Sequence, residues 1–547
     1  MKNLKVKKIL CSIIAGTLIA GMLGGCGAEE QKESAVSKNT EATESQSTEA
    51  IETTEELKLG YPIEGNVELT ITMMDEANVS TNYKNLAETP FGKAWQEQTG
   101  ITLKHEYLAD KDAMNLLFAS GELPDIIMYN FNNYSGGIAA AVRDGIVLPI
   151  TDYVEYAPDL MAALESSDGA MKGNMTDDGE IIGFPFIRLD ERLCTSRGLI
   201  IREDWLEDVN MEIPQTPEDL YNVLKAFKGI EGVTYPFAAG YGNLLNYGIG
   251  EGAITSPFGL PCGNFYQIDG KVHYGFAEPE LKDVLVYLHK LYEEELLDPN
   301  MQSLSANLIS AAMTGGTGGL TFGATSKIGE YLKAMAEVDP TYSVTGVGSL
   351  VAKEGDTAMS SHYTGALAGV YAVITPDCKN VEAAVRFLNY GYTEAGDILM
   401  NWGIEGESYE VVNGEKQWTD WVNNNPDGWT AGMAKSAYSR GASNGPMVQE
   451  YRKKDTPQQE DATTRWANSN AADYVLPSLS IPGEDASEYS KISGDITTYY
   501  QEMIVKYITG EESLDTFESA YLATLEKMGV KRMIEIQQKA LDAYNAR

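Results

Sequence analysis

Histidine and cysteine are scarce in this chain of 547 residues, at four and five, and acidic side chains outnumber basic ones 80 to 41. His105, His273, His289 and His362 are scattered through the chain, and no spacing among them marks a metal site or a catalytic dyad. The cysteines show no CxxC spacing, and Cys194, Cys262 and Cys378 read as buried small hydrophobes rather than as a disulfide framework. A formal net charge of −39 repels nucleic acid and anionic lipid, so neither is expected as a partner. There is no GxSxG elbow, no HExxH and no phosphate-binding P-loop. Gly315-Gly316-Thr317-Gly318-Gly319 resembles a nucleotide loop only in its glycine content, with no lysine and no GxGxxG register. A carboxylate pair for glycoside hydrolysis leaves no sequence signature, so a surface glycan-degrading enzyme stands as a rival reading.

Long apolar runs are also missing, except at the start. Lys2, Lys5, Lys7 and Lys8 precede an apolar stretch from Ile9 to Leu23, which is too short and too rich in small residues for a helix of about 20 residues that spans a bilayer. It closes on Leu23-Gly24-Gly25-Cys26, which resembles a bacterial lipobox. Residues 1–25 therefore read as a lipoprotein signal peptide, with Cys26 acylated as the first residue of the mature chain. From Gly27 to about Leu57 the sequence is Glu, Ser, Thr, Gln and Ala, with too little apolar surface to offset the entropy of ordering. Such a tether of about 30 residues spans on the order of 30 Å.

Folded structure is expected from Val67, where Val67 to Met73 alternates like a strand. Helices at Phe91 to Gln98 and Lys111 to Ser120 flank a strand at Ile101 to Tyr107, and Gly121-Glu122-Leu123-Pro124-Asp125 turns into a buried strand at Ile126 to Met128. This β-α-β-α-β rhythm predicts a parallel α/β sheet, and the length requires at least two domains. Pro236 to Ala239 reads as a further strand, and Asn174 to Gly179 as a β-turn. Helices are predicted at Ile496 to Ile508, Ser513 to Met528 and Val530 to Tyr544.

Six segments carry a family resemblance: Gly121 to Ile126; Gly183-Phe184-Pro185; Leu199-Ile200-Ile201-Arg202-Glu203-Asp204-Trp205-Leu206; Glu382 to Tyr390; Asn401-Trp402-Gly403-Ile404-Glu405-Gly406; and Ile496 to Asn545. Together and in order they resemble the extracellular solute-binding proteins of sugar ABC transporters, related to maltose-binding protein, and within these the large lipoprotein branch of oligosaccharide and alginate binders. The resemblance implies a two-lobe α/β fold of the type II periplasmic-binding class, with crossover strands at a hinge and a helical C-terminal part. It places residues 58–183 and 300–370 in lobe 1, and 184–299 and 371–547 in lobe 2. Calcium-carrying relatives have an acidic, asparagine-rich loop where this chain reads Phe227 to Pro236, which lacks the oxygen ligands calcium wants, so no metal and no cofactor is expected.

Sugars ask for flat apolar faces and planar polar groups, and the chain has 31 Tyr and 7 Trp. Ligands lie beyond the carboxyl ends of parallel strands, which nominates Asp75 and Glu76, then Tyr129, Asn130 and Phe131, with Asp125 bracing its turn. On the implied crossover, Phe186 and Arg188 face the cleft, or else Arg188 pairs with Asp190 or Glu191. Tyr241, Asn243, Gly323, Thr325, His362 and Tyr363 are further candidates. Trp402 is the foremost stacking candidate, with Glu405 either binding or structural. Trp418, Trp421 and Trp429 form an extra wall for a long oligosaccharide or merely anchor a surface insertion. The expectation is a monomeric, lipid-anchored subunit on the outer face of a cytoplasmic membrane, in a single-membrane bacterium, passing a carbohydrate to an ABC permease. A binder of peptides or another non-sugar solute is the alternative.

Overall fold

The computed structural model describes residues 59–441 and 445–547, so the signal, Cys26 and the tether lie outside the described residues. In chain order the strands are β1 (Glu68–Met74), β2 (Thr102–Leu108), β3 (Ile126–Asn130), β4 (Phe184–Arg188), β5 (Arg197–Arg202), the hairpin β6 (Phe265–Ile268) and β7 (Lys271–Tyr274), β8 (Leu320–Ala324), β9 (Val344–Val347), β10 (Leu367–Ile374), the hairpin β11 (Tyr409–Val412) and β12 (Glu415–Trp418), and β13 (Met447–Gln449).

Six of them form one sheet in the order β13-β4-β10-β3-β1-β2, and β8-β5-β9 form a second. In the first sheet β1 runs parallel to β2 and β3, and β4 parallel to β13, while β10 runs antiparallel to both its neighbours. The early helices begin and end where their caps dictate. Pro90–Thr99 starts on the Thr89 side chain, which accepts from the Gly92 N–H, and stops at Gly100 in the left-handed region. Lys111–Ser120 is capped by Asp110 and stopped by Gly121 in the same way.

Two large apolar cores define the lobes. The first draws on residues between Ile63 and Ile187 and between Leu367 and Met447. The second draws on Leu199 to Leu350 and on Ile496 to Met533, and a smaller cluster joins Trp466 and Ala462 to β5, β9 and the helix Thr325–Met335. The expected boundaries are therefore corrected. Residues 300–350 pack with 199–297 rather than in lobe 1, and 371–447 return to lobe 1 because β10 and β13 complete its sheet.

The chain crosses between the cores three times, at residues 189–196, 351–366 and 450–456. Pro236 to Ala239 makes only isolated bridges through Phe237, to Leu297 and Leu320, and is not a strand. Thr176 to Gly179 is a turn, with the Gly179 N–H donating to the Thr176 carbonyl at 3.0 Å. Among the described residues Cys194, Cys262 and Cys378 are free and buried. No helix among the described residues is long and apolar enough to cross a membrane.

Candidate functional site

The carboxyl ends of β1, β3, β4 and β13 lie where the chain leaves lobe 1, and residues from the crossovers interlock there. Arg188, last in β4, is in register with Gln449 of β13. Its Nη1 donates to Thr364 Oγ1 at 2.9 Å, and its guanidinium lies 5.3 Å from the Phe186 ring. Burial pulls its pKa down. Asp190 is taken by Arg192 through a two-bond fork of 2.9 and 2.6 Å, so the alternative pairing of Arg188 with Asp190 is not the one formed. Arg192 also sits 3.5 Å over the Tyr451 ring, and the Tyr451 hydroxyl donates to Glu460 at 2.9 Å. These contacts tie β4 and the third crossover to the helix Pro457–Ala467 of the second lobe.

On the lobe 1 side, the third crossover opens onto an aromatic wall. Trp402 is 6 % exposed, its Nε1 donates to Glu450, and its ring lies 5.1 Å from Trp418 and 5.5 Å from the Arg452 guanidinium. Arg452 and Lys435 stand 5.1 and 5.5 Å from the Trp418 ring. Beyond it runs a chain of edge-to-face contacts, Tyr438 to Trp421 at 5.4 Å, Trp421 to Trp429 at 5.6 Å and Trp429 to Tyr83 at 5.9 Å. All four rings are half-buried. An edge-to-face pair covers one ring's edge and one face of the other, so such a row keeps ring surface open to a partner. Tyr83 stands just past the end of β1, so the row runs from the third crossover toward the carboxyl edge of the sheet.

The sequence candidates divide sharply against this geometry. Asp75 is exposed at the end of β1, and Asn130 is half-buried, its side chain accepting from the Asn132 N–H at 3.1 Å. Glu76 is locked in a bidentate pair with the fully buried Arg440, at 2.7 and 2.8 Å, and is a structural group. Tyr129 and Phe131 belong to the lobe 1 core, 5.5 Å apart, and Phe186 is buried under Arg188, so none of the three is an open wall. Asp125 braces its turn as expected, accepting from the N–H and hydroxyl of Thr70.

In lobe 2, the Tyr241 hydroxyl is tied to the Gln501 carbonyl, and Asn243 is half-buried in the short helix Tyr241–Asn243. Gly323 is buried opposite Gly198, and the Thr325 carbonyl accepts from Gln459. His362 is buried with Nδ1 3.0 Å from Glu251. Tyr363 lines a separate cavity of about 450 Å³, and burial raises its hydroxyl pKa to about 12. Glu405 is exposed. Trp402 itself is covered by Trp418 and Arg452, whereas Trp421, Trp429 and Tyr83 are half-buried rings. Tyr83, Tyr438, Lys435 and Arg452 went unrecognised in the sequence. One signal for Arg452 was there, since Arg452-Lys453-Lys454 is the chain's one run of three basic residues.

Two α/β lobes built from interleaved chain segments and joined by three crossovers constitute the type II periplasmic-binding architecture. The chain belongs to the family of bacterial extracellular solute-binding proteins, whose pattern it matches over residues 80–398. It is similar to the fructooligosaccharide ABC transporter substrate-binding protein FusA of Streptococcus pneumoniae serotype 4, at 24% identity over 490 residues, covering 82% of this chain and 86% of FusA. It is also 28% identical over 344 residues to the lipoprotein LipO of Bacillus subtilis strain 168, covering 60% of this chain and 65% of LipO. Among solved structures the calcium-free alginate-binding protein AlgQ2 superposes with a TM-score of 0.65 at 21% identity, over 88% of this chain and 99% of AlgQ2.

Proposed function

We propose that this protein is the lipid-anchored substrate-binding subunit of an ABC importer, and that it captures an oligosaccharide between its lobes. The observation that carries the reading is the half-buried row Tyr83, Trp429, Trp421 and Tyr438, near the third crossover. Flat rings in sequence suit successive pyranose faces, and Asp75, Asn130 and the crossover arginines supply planar polar groups for hydroxyls. The similarity to FusA, which is named for fructooligosaccharides, supports a chain of several sugars over a single one. Ligand bound between the lobes favours the closed state by its higher affinity for it, and hinge closure then presents the loaded protein to a permease. Acylation at Cys26 and the acidic tether keep the cleft within reach of that permease, on the outer face of the membrane, with the protein acting as a monomer.

A glycan panel read by thermal shift and small-angle scattering tests the proposal. At least one oligosaccharide is expected to raise the melting temperature and to shrink the radius of gyration, and Trp429→Ala to weaken it about 2- to 10-fold, from an aromatic contribution of about 0.5–1.5 kcal/mol. If no saccharide in a broad panel stabilises or compacts the protein, the reading fails.

A further inference from the structure

A ligand shifts a hinge equilibrium only by binding one state better than the other, and a saccharide held by lobe 1 alone is held equally well in both. The aromatic row lies wholly in lobe 1, so closure requires a second contact, on the edge of lobe 2 that meets the crossovers. β5 starts where the first crossover ends, and β9 stops shortly before the second begins. Arg197 at the start of β5 pairs with Ala324 at the end of β8, so these strand ends together make that edge.

A ring and a guanidinium stand there. Tyr247 belongs to a π-helical turn, Leu244–Gly250, and the Glu251 N–H donates to the Asn246 carbonyl, five residues back, at 2.7 Å. Turns this wide are rare and recur at functional sites. Gly248 allows the fit, because a Cβ there meets the Phe322 ring of β8 at 3.0 Å. The turn therefore rests directly on β8 and leaves the Tyr247 ring half-buried, 6.5 Å from Phe322. Arg197, half-buried as well, lies 4.9 Å from the Tyr247 ring. Among the described residues no carboxylate comes within 4.0 Å of Arg197, and its side chain makes no hydrogen bond. A flat apolar face beside a planar donor is the combination that a sugar ring and its hydroxyls ask for.

The turn is also bonded to the hinge. Glu251 lies 3.0 Å from His362 Nδ1, the Ser360 hydroxyl donates to the Gly252 carbonyl at 3.1 Å, and the Leu350 N–H donates to the Ala253 carbonyl at 3.2 Å. The space enclosed among Arg197, Tyr247, Glu251 and His362 is about 10 Å³, room for one water, so a sugar meets Tyr247 from its open side and does not enter behind it. Building on the oligosaccharide reading above, we infer that Tyr247 and Arg197 are the lobe 2 contacts of the saccharide and engage it on closure. The row in lobe 1 then holds the ligand in either state, and Tyr247 with Arg197 supplies the extra affinity of the closed one.

Titration calorimetry and small-angle scattering with the whole mature protein test this, with short malto-, cello-, xylo-, manno- and fructo-oligosaccharides as probes. Tyr247→Leu keeps an apolar side chain against Phe322 but removes the flat ring, and Arg197→Gln removes the guanidinium. For a probe that binds the unaltered protein, each variant is expected to weaken binding about 2- to 10-fold. At saturating probe each is also expected to stop short of the full decrease in radius of gyration. Tyr247→Phe retains the ring and is expected to bind and compact like the unaltered protein, whereas Trp429→Ala binds more weakly yet compacts fully at saturation. Should Tyr247→Leu lower the melting temperature of the free protein, Arg197→Gln decides, since its side chain has no hydrogen bond to lose. Unchanged affinity in the deciding variant, or weaker binding with full compaction, overturns the assignment and leaves the oligosaccharide reading standing. If no probe binds the unaltered protein, both fall.

Discussion

Glu76 and Arg440 are 364 positions apart in sequence and meet in a bidentate pair whose guanidinium is fully buried. The pair pins the start of the segment after β1 to the strap that leads into β13, so it fixes the ground on which Tyr83 and the aromatic row stand. Removing one partner of such a pair leaves a buried charge uncompensated, which costs about 3–5 kcal/mol. Arg440→Ala is expected to lower unfolding stability in urea by that order; a loss below about 1 kcal/mol contradicts the structural role given to Glu76. His105 sits next to this pair. Its Nδ1 accepts from the Leu86 N–H, its Nε2 is buried without a partner, and burial, aided by Arg440, lowers its pKa from 6.5 to about 4. With the folded pKa below the unfolded one, the unfolded chain binds the proton first. The contribution is therefore whole above about pH 6.5 and is lost as pH falls toward 4, by up to about 3 kcal/mol. His105→Gln is expected to flatten the stability profile across that window, and an unchanged slope shows that other groups set it.

At the scale of elements, β5 shows what close packing demands. A Cβ at Gly198 meets Trp466 Nε1 at 2.4 Å, so the strand can lie on the helix Pro457–Ala467 only with hydrogen at that position. Gly198→Ala forces that helix away and is expected to cost about 1–3 kcal/mol by thermal denaturation. Because the same helix receives Tyr451 through Glu460, the variant is also expected to alter ligand affinity, and a stability loss with unchanged affinity separates the two roles. Elements with local signals were legible in the sequence. Thr89, Asp110, Gly100 and Gly121 mark helix ends through contacts within a few residues, and the strands at 102–108 and 126–130 fall within a residue or two of their expected places at most ends. Pro236 to Ala239 reads as a strand because it is apolar and short, but its backbone partners are single bridges at distant residues, which composition does not encode.

On the scale of the whole molecule, a second tie joins the lobes away from the aromatic wall. The helix Val530–Ala546 packs in the second core, yet Arg547, with a side chain 3% exposed, forks onto Asp177 at 3.0 and 2.7 Å and donates to the Lys172 carbonyl of lobe 1. Hinge motion must pivot on this latch or break it. Arg547→Gln is expected to shift the free protein's radius of gyration and change ligand affinity with little change in the melting temperature, by scattering and calorimetry; identical scattering curves refute a role in the hinge. Cys26→Ala belongs to this scale too. It is expected to leave saccharide affinity unchanged while the protein is lost from the cell surface, as read by fractionation.

The sequence by itself determined the α/β class, the two-lobe family, and the caps and turns, because each rests on neighbours in the chain or on an order of motifs. Only the tertiary structure decided which segments share a core, and which aromatics are covered and which stay open. Glu76 and Trp402 show the reason. Both have the residue type and the place in the order that a binding role requires, and both are claimed by groups far along the chain, Arg440 for one, Trp418 and Arg452 for the other. Burial is a property of what lies opposite, and no local pattern records that.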